Sequence, residues 1–252
     1  MSLLHIDYYS EIMHRNVRMD VILPEGGLVD KAPWKLLLLL HGMTDDHTIW
    51  QRRTTLEEYI RYKNMCVVMP TTYLGFYTNT RCGERYFDHI ADEVIQIVRR
   101  MFPRVTKDRN ETFAAGLSMG GYGAVKCALA RPDTFSKAAS LSGALDIASA
   151  ANLEEDDPMV NFWADIFGSQ DEVRGGRDDL FVLASELKEN RPELFIWCGT
   201  EDFLYKMNTD FRDHLKKIDY PHVYTETPGI HDWFYWEREI RNAIEWMLKE
   251  GE

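Results

Sequence analysis

Long hydrophobic segments are absent from the 252-residue sequence. The longest unbroken aliphatic run, Leu36–Leu40, is far shorter than the roughly 18 residues that a membrane-spanning helix requires. The first residues, Met1–Asp7, lack the basic stretch followed by an apolar one that marks an export signal. We therefore expect a soluble, cytoplasmic protein with no membrane partner.

Basic residues are too few to balance the acidic ones. The sequence has 29 Lys and Arg against 41 Asp and Glu, so its net charge is −12. Nucleic acids and anionic membranes attract basic surfaces, and a chain this acidic is a poor partner for either. The hydrophobic fraction of 45% is ordinary for a protein that buries a core, which argues against a disordered chain.

Cysteine is scarce, with only four residues and no C-x-x-C pair. Cys66, Cys127 and Cys198 lie in apolar runs, and Cys82 lies outside them. A disulfide framework is typical of much shorter chains, and buried cysteine behaves as a small hydrophobic residue. We predict reduced cysteines with no disulfide and no structural zinc.

Eight short runs have the composition of β-strands. They are His5–Ile12, Val17–Leu23, Lys35–His41, Cys66–Pro70, Glu111–Gly116, Lys137–Ser142, Leu194–Gly199 and His222–Glu226. Several of these runs show no polar alternation, as in Leu36–Leu40. Both faces of such strands must be covered, which is typical of a parallel sheet between two layers of helices.

Helical periodicity alternates with the strands. Apolar residues recur every three or four positions over 87–102, 211–218 and 236–248. The pattern predicts a three-layer α/β sandwich whose sheet is antiparallel at its first hairpin and parallel afterwards. An excursion from Asp146 to about Arg191, with helical pieces at Met159–Phe167 and Asp178–Glu189, predicts a small cap. We find no linker or repeat and predict a single domain over residues 1–252.

The segment Gly116-Leu117-Ser118-Met119-Gly120 matches the pattern G-x-S-x-G between a predicted strand and a predicted helix. In that context the pattern indicates a nucleophilic serine on a turn so sharp that only glycine fits two residues before and after it. The alternative is a glycine-rich packing site where helix meets strand, which needs the glycines but not Ser118.

A serine nucleophile needs a base and an orienting acid, which follow it in this fold on loops after later strands. Asp202 and His231 occupy those positions, and the other seven histidines fit surface or capping roles better. Asp146 is the main alternative acid and Glu201 a lesser one.

Two backbone N–H groups must stabilise the oxyanion formed in acyl transfer. We expect them from Met119, which follows the serine, and from Met43, which follows the third predicted strand. A metal site is an alternative use of the neighbouring polar residues, which are His41, Asp45, Asp46 and His47. No H-E-x-x-H pattern or cysteine partner accompanies them, so we expect no metal and no cofactor.

Six aromatic residues fall in predicted loops or in the cap. They are Trp50, Phe76, Tyr77, Phe162, Trp163 and Trp233. Exposed aromatic side chains are costly unless they line a pocket or an interface, so we predict that these six bind substrate. A pocket walled by aromatic rings favours small acyl groups. The alternative is that each packs in the core or against another subunit.

Four segments resemble a known family. They are His41–Met43 after its strand, Gly116–Ala124, Trp197–Phe203 and Gly229–Trp236. Together they resemble the esterase D-type α/β-hydrolases, most closely their tributyrin esterase branch, over roughly residues 5–248. The resemblance implies a carboxylesterase for short acyl chains that forms an acyl-enzyme. It places Ser118, Asp202 and His231 at the catalytic triad positions, and Met43 and Met119 at the oxyanion hole.

The resemblance leaves the substrate open. Relatives include S-formylglutathione hydrolases, which typically carry a Ser-Tyr-Tyr type of run after the histidine, whereas Trp233–Trp236 stands here. Acetyl-xylan and feruloyl esterases are also relatives. Two further hypotheses are a binding protein on a hydrolase scaffold and a metal hydrolase centred on His41 and His47. The expected partner is a small-molecule ester, and the sequence leaves open whether the chain forms a homo-oligomer.

Overall fold

The computed structural model describes residues 1–26, 31–150 and 159–249. Their eight strands form one sheet. The strands are β1 Ser2–Ser10, β2 Arg15–Leu23, β3 Lys35–Leu40, β4 Met65–Pro70, β5 Thr112–Leu117, β6 Lys137–Leu141, β7 Glu193–Gly199 and β8 His222–Thr227. Each corresponds to one of the strands predicted from the sequence, with ends that differ by up to three residues.

Helices connect most of these strands. They are α1 Ile49–Arg53, α2 Leu56–Ile60, α3 Tyr86–Asp88, α4 Val94–Met101, α5 Met119–Ala130, α6 Ile147–Ala150, α7 Val160–Phe167, α8 Gln170–Val173, α9 Leu180–Glu186, α10 Tyr205–Lys217 and α11 Trp233–Met247. A π-helical turn, His89–Glu93, joins α3 to α4, and a 3₁₀ turn, Arg109–Glu111, precedes β5.

The sheet is mixed, with strand order β1-β2-β4-β3-β5-β6-β7-β8. The first strand pairs antiparallel with the second, and the second pairs antiparallel with β4. All remaining pairs are parallel. The carboxyl ends of β3, β5, β6, β7 and β8 therefore meet at one edge of the sheet, which is where ligands bind in open α/β sheets.

Two apolar cores cover the two faces of the sheet, as the unbroken hydrophobic strands predict. Along β3, Leu36, Leu38 and Leu40 belong to one core, and Leu37 and Leu39 belong to the other. Helices α4, α5 and α10 pack in the first core, whereas α1, α2 and α11 pack in the second. The predicted three-layer α/β sandwich is confirmed.

The helical run predicted over 87–102 is interrupted by the π-helical turn at His89–Glu93. Within that turn the buried His89 ring contacts the Glu93 carboxylate, with 2.7 Å between Nδ1 and Oε2. The Glu93 carboxylate also accepts a hydrogen bond from the backbone N–H of Glu11. These polar contacts tie the interrupted helix to the β1–β2 turn, and apolar periodicity alone does not predict them.

Four helices, α6 to α9, occupy the described part of the excursion between β6 and β7, where the sequence predicts a cap. A buried ion pair ties this segment to α5. The Lys126 ammonium, 2% exposed, contacts the Asp178 carboxylate, 13% exposed, and donates a hydrogen bond to Thr78 Oγ1 at 2.7 Å. The pair therefore joins the cap to the centre of the fold.

We expect Lys126→Ala to lower the free energy of unfolding by about 3 kcal/mol, because the buried Asp178 carboxylate then keeps only the exposed Arg177, 3.6 Å away, as a charged partner. Urea denaturation measures the change. Lys206→Ala is the matched control, since Lys206 pairs with Asp210 at an exposed site and its loss should cost under about 1 kcal/mol. An equal decrease in the free energy of unfolding in the two variants would show that the buried ion pair does not stabilise the cap.

The four cysteines are free thiols, with Cys66, Cys127 and Cys198 buried and Cys82 exposed. Burial raises the pKa of the Cys127 thiol to about 12, so this thiol is protonated at neutral pH. None of the described helices is long and apolar enough to cross a membrane.

Candidate active site

The turn between β5 and α5 holds Ser118 in a strained backbone conformation, with φ of 52° and ψ of −118°. The chain reverses so sharply there that a side chain at Gly116 would collide with the carbonyl of Gly120. A side chain at Gly120 would collide with the carbonyl oxygens of Leu40 and His41 at the end of β3. The two glycines of the G-x-S-x-G pattern are thus required by close backbone approach, and the turn lifts Ser118 above the edge of the sheet.

A chain of hydrogen bonds links Ser118, His231 and Asp202. The distance from His231 Nε2 to Ser118 Oγ is 3.0 Å. The other ring nitrogen, Nδ1, lies 2.8 Å from Oδ2 and 3.0 Å from Oδ1 of Asp202. The three side chains follow β5, β8 and β7, whose carboxyl ends meet at the same edge of the sheet. The structure therefore brings together the three residues that the sequence predicts.

The Asp202 carboxylate is buried and accepts hydrogen bonds from several groups. Burial by itself would raise the pKa of this carboxyl. Hydrogen bonds from His231, from the backbone N–H of Leu204 and from Ser142 outweigh that effect, and the pKa lies below its ordinary value. Asp202 is consequently ionised at neutral pH, and its charge fixes the proton of His231 on Nδ1. The unprotonated Nε2 then faces the serine hydroxyl.

The alternative acids have other partners. The Asp146 carboxylate accepts hydrogen bonds from the backbone N–H of Ser149 at 3.2 Å and from Arg174 at 3.0 Å. Asp146 therefore caps α6 and binds the cap segment, with no contact to His231 among the described residues. Glu201 accepts a hydrogen bond from the backbone N–H of Gly229 at 2.5 Å. It braces the loop that carries His231.

The predicted oxyanion donors lie beside Ser118. Met119 begins α5, and its backbone N–H belongs to the first helical turn, where donors have no partner within the helix. Met43 lines the same cleft as Ser118. Neither N–H donates a hydrogen bond to another described residue. Both groups are therefore available to an oxyanion.

A cleft of about 360 Å³ opens over Ser118 and His231. Its walls are formed by Gly42, Met43, Thr44, Asp45, Leu117, Phe203, Trp233 and Trp236. The Phe203 ring lies 4.5 Å from the His231 ring, and Trp236 meets the same imidazole edge-on at 4.7 Å. The cleft is thus mostly apolar, with the serine and histidine at its base.

Of the six predicted substrate-binding aromatics, Trp233 lines this cleft. The prediction is wrong for Trp50 and Tyr77, which are core residues. Trp50 is 1% exposed and its indole donates a hydrogen bond to the Leu40 carbonyl at 3.0 Å. The fully buried Tyr77 hydroxyl donates to the His41 carbonyl at 2.9 Å. The two rings therefore hold the end of β3, against which Gly120 packs, from the two faces of the sheet.

The remaining three aromatics pack with one another on the cap side of the molecule. The buried Phe76 ring lies 4.8 Å from Trp163 and 6.5 Å from Phe162, and both cap rings are partly exposed. None of the three lines the cleft over Ser118. Phe76 fixes the position of α7, which carries the other two rings.

Comparison with known proteins identifies the family. Residues 10–247 match the family model Esterase, described as "putative esterase". The chain belongs to this esterase family. The esterase is similar to an acetyl esterase of Caldicellulosiruptor saccharolyticus, with 32% identity over 99% of both chains.

Two solved structures from Staphylococcus aureus share 35% identity with the esterase. One is FphF, a fluorophosphonate-binding serine hydrolase, with a TM-score of 0.89 and 99% of each chain covered. The other is the S-formylglutathione hydrolase FrmB, with a TM-score of 0.84, 99% of this chain and 100% of that chain covered. The esterase is therefore a carboxylic ester hydrolase with the α/β-hydrolase fold, as the sequence predicts.

Two of the four polar residues considered as a metal site, His41 and Asp46, are engaged in hydrogen bonds within the esterase. His41 contacts the Gly42 carbonyl through Nδ1 at 2.7 Å and accepts the backbone N–H of Thr72 through Nε2 at 3.0 Å. Burial lowers the pKa of His41 to about 4, so the ring is neutral. Residues 1–26, 31–150 and 159–249 contain no group of three or more His, Cys, Asp or Glu arranged to hold a metal.

Sequence reasoning missed three residues that shape the site of the esterase. Phe203 directly follows Asp202 and ends one of the segments that carry the family resemblance, but nothing in the sequence indicates that its ring packs on His231. The apolar periodicity places Trp236 on the buried face of a helix, and its indole also donates a hydrogen bond to the Ser142 hydroxyl at 3.1 Å. Ser142 has a φ of 48°, a backbone feature that no sequence pattern reveals. Ser142 and Trp236 support Asp202 and His231 respectively.

Proposed function

We propose that the esterase is a serine carboxylesterase that hydrolyses short-chain acyl esters through Ser118, His231 and Asp202. The observation that carries the proposal is the hydrogen-bonded chain from the Asp202 carboxylate through the imidazole to Ser118 Oγ. A hydroxyl is a weak nucleophile until an oriented base removes its proton, and this arrangement supplies both the base and its orientation.

In the proposed reaction, Ser118 Oγ attacks the ester carbonyl while His231 Nε2 takes the hydroxyl proton. The resulting oxyanion accepts hydrogen bonds from the backbone N–H groups of Met43 and Met119, aided by the positive end of α5. His231 then returns the proton to the leaving alcohol, and an acyl-enzyme remains on Ser118. Water, deprotonated by the same imidazole, releases the carboxylic acid and restores the serine.

The size and lining of the cleft support a short acyl group. Trp233 is wedged between other rings, 5.1 Å from Trp50 and 5.5 Å from Trp236, both edge-on. Rings held this way cannot swing aside without breaking contacts on both sides, so they limit the length of chain that the cleft accepts. A relative named an acetyl esterase agrees with a small acyl group.

A thioesterase of the S-formylglutathione type is the second candidate, favoured by 35% identity to FrmB over nearly the whole of both chains. The formyl group is smaller than acetyl and also fits a short acyl pocket. The two candidates differ in the leaving group, which is a glutathione thiol in one case and an alcohol in the other. Assays with S-formylglutathione, alkyl esters, acetylated xylo-oligosaccharides and feruloyl esters separate them.

We expect the highest kcat/KM with acetyl to butyryl 4-nitrophenyl esters and a decrease of at least about tenfold by the octanoyl ester. In Trp233→Ala the loss of kcat/KM from the butyryl to the octanoyl ester should be several times smaller, because removing the indole lengthens the acyl pocket. The measurement is kcat/KM across the ester series. Phe234→Ala is the matched control, since this neighbouring ring is 75% exposed and does not line the cleft. An octanoyl optimum in the unmodified enzyme would contradict a short pocket.

The other hypotheses predict different results in the same assays. A binding protein on a hydrolase scaffold would turn over none of these esters. A metal hydrolase would lose activity to chelators and resist serine reagents, whereas a serine esterase shows the opposite pattern.

A further inference from the structure

One acidic side chain in the cleft has no role in the proposed reaction. Asp45 lies in the loop between β3 and α1 and lines the cleft together with Ser118 and His231. Its Oδ2 lies 3.4 Å from the point that a β-carbon on Gly42 would occupy, next to the backbone that presents the Met43 N–H. The carboxylate is therefore placed beside the predicted oxyanion hole.

The neighbouring Asp46 shows what a structural aspartate in this loop does. Its Oδ1 accepts hydrogen bonds from Thr48, at 2.9 Å from the backbone N and 2.6 Å from Oγ1. The Asp45 carboxylate, in contrast, has no hydrogen bond and no ion pair among the described residues and feels Arg53, Asp46 and Arg52 only as nearby charges. A partly buried carboxylate without a hydrogen-bond partner is destabilising, so folding alone does not explain Asp45.

We propose that Asp45 determines the charge preference of the site, so that the cleft accepts neutral or cationic ester groups and repels groups that are anionic near the scissile bond. This inference rests on the proposed esterase function. A negative charge beside the reacting carbonyl disfavours the approach of a second one, and the apolar walls of the cleft strengthen that repulsion.

Burial and the charged groups around Asp45 determine the pH range in which its carboxylate is ionised and repels anionic esters. The pKa of Asp45 is raised to about 6, mainly by burial and to a smaller extent by Asp46, against the opposing charges of the exposed Arg53 and Arg52 of α1. His231 is the other titratable side chain among the described residues that line the cleft. Asp45 is therefore mostly ionised above pH 7 and mostly protonated near pH 5. The discrimination against anionic esters should be full at pH 8 and should decrease as the pH falls through 6.

The experiment compares esters that differ in charge but hardly in shape. One pair is methyl butyrate and monomethyl succinate, which places the charge on the acyl group. A second pair is 3-carbamoylphenyl acetate and 3-carboxyphenyl acetate, which places it on the alcohol. The readout is the ratio of kcat/KM for the neutral ester to that for the anionic ester. Effects on His231 or on folding act on both esters and cancel in this ratio.

At pH 8 we expect Asp45→Asn to lower the ratio about tenfold for at least one pair. A tenfold change is the size expected when the repulsion between two unit charges several ångströms apart in a partly solvated cleft is removed. In the unmodified enzyme the ratio should fall between pH 8 and pH 5, and in Asp45→Asn it should not change. Asp46→Asn is the matched control, because it removes the same charge from a carboxylate outside the cleft. It should alter the ratio less than twofold.

Two results would overturn the inference while leaving the esterase proposal intact. One is a kcat/KM ratio in Asp45→Asn that stays within twofold of the ratio in the unmodified enzyme for both ester pairs. The other is an equal loss of activity on neutral and anionic esters in Asp45→Asn, which would mean that the side chain only supports its loop. An unmodified enzyme that hydrolyses neither neutral ester would overturn both proposals. Retained hydrolysis therefore distinguishes failure of the inference from failure of the proposed function.

Discussion

Ser118→Ala should reduce kcat/KM for 4-nitrophenyl butyrate by roughly four orders of magnitude or more, because the variant lacks the oxygen that forms the acyl-enzyme. The fold should survive. Serine and alanine both carry a β-carbon, so the strain of a φ of 52° is the same in the two proteins. The Ser118 hydroxyl contacts His231 across the cleft and packs against no core residue that would be lost.

A second serine–histidine contact offers a matched control. Ser185 Oγ lies 2.9 Å from His214 Nε2, at a distance similar to that between Ser118 and His231. No carboxylate contacts His214 among the described residues, and the Ser185 hydroxyl donates instead to the Phe181 carbonyl. Ser185→Ala should keep activity within about twofold. Retention of more than about one per cent of activity in Ser118→Ala, with thermal unfolding unchanged, would refute the assignment of the nucleophile.

Asp202→Asn should lower kcat by about 10³- to 10⁴-fold with little change in folding, because an amide cannot fix the proton of His231 on Nδ1 or stabilise the imidazolium. The catalytic loss acts through His231, since both carboxylate oxygens lie within 3.0 Å of its Nδ1. The amide oxygen of the variant can still accept the hydrogen bond from the backbone N–H of Leu204. Steady-state kinetics at several pH values measure the loss, and circular dichroism checks the fold.

Asp146→Asn is the control that shows whether the loss of kcat is specific to Asp202. Its carboxylate caps α6 and pairs with Arg174, so the substitution should cost on the order of 1 kcal/mol of stability and change kcat less than about tenfold. If Asp146→Asn were the inactive variant and Asp202→Asn nearly normal, the orienting acid would follow β6 and not β7. The proposed triad would then be wrong in its acid.

The parts of the fold that the sequence predicts are those that local composition determines. Leu36–Leu40 has to be a strand covered on both faces, because no polar residue in it faces solvent, and the structure divides its side chains between the two cores. Gly116 and Gly120 indicate the sharp turn at Ser118, because backbone contacts leave no room for larger residues at these two positions. The loops that carry Ser118, Asp202 and His231 lie together because the parallel strands before them end at one edge of the sheet.

Features that depend on long-range packing were not predictable in the same way. Trp50 and Trp233 look alike in the sequence, yet one is buried against the Leu40 carbonyl and the other lines the cleft. Which of two aromatic rings faces solvent depends on how α1 and α11 meet, and no local pattern encodes that contact. The role of Asp45 is hidden for the same reason, because Asp46 beside it has the same chemistry and a different set of neighbours.

Labelling with a fluorophosphonate followed by mass mapping tests the proposed mechanism most directly. A fluorophosphonate reacts with a serine whose hydroxyl is activated by a base and forms a stable adduct in the oxyanion site. We predict one adduct per chain on the tryptic peptide of residues 110–126, in which Ser118 is the single serine, and no adduct in Ser118→Ala. A folded protein that stays unlabelled, or an adduct on another peptide, would contradict the serine esterase mechanism proposed for this site.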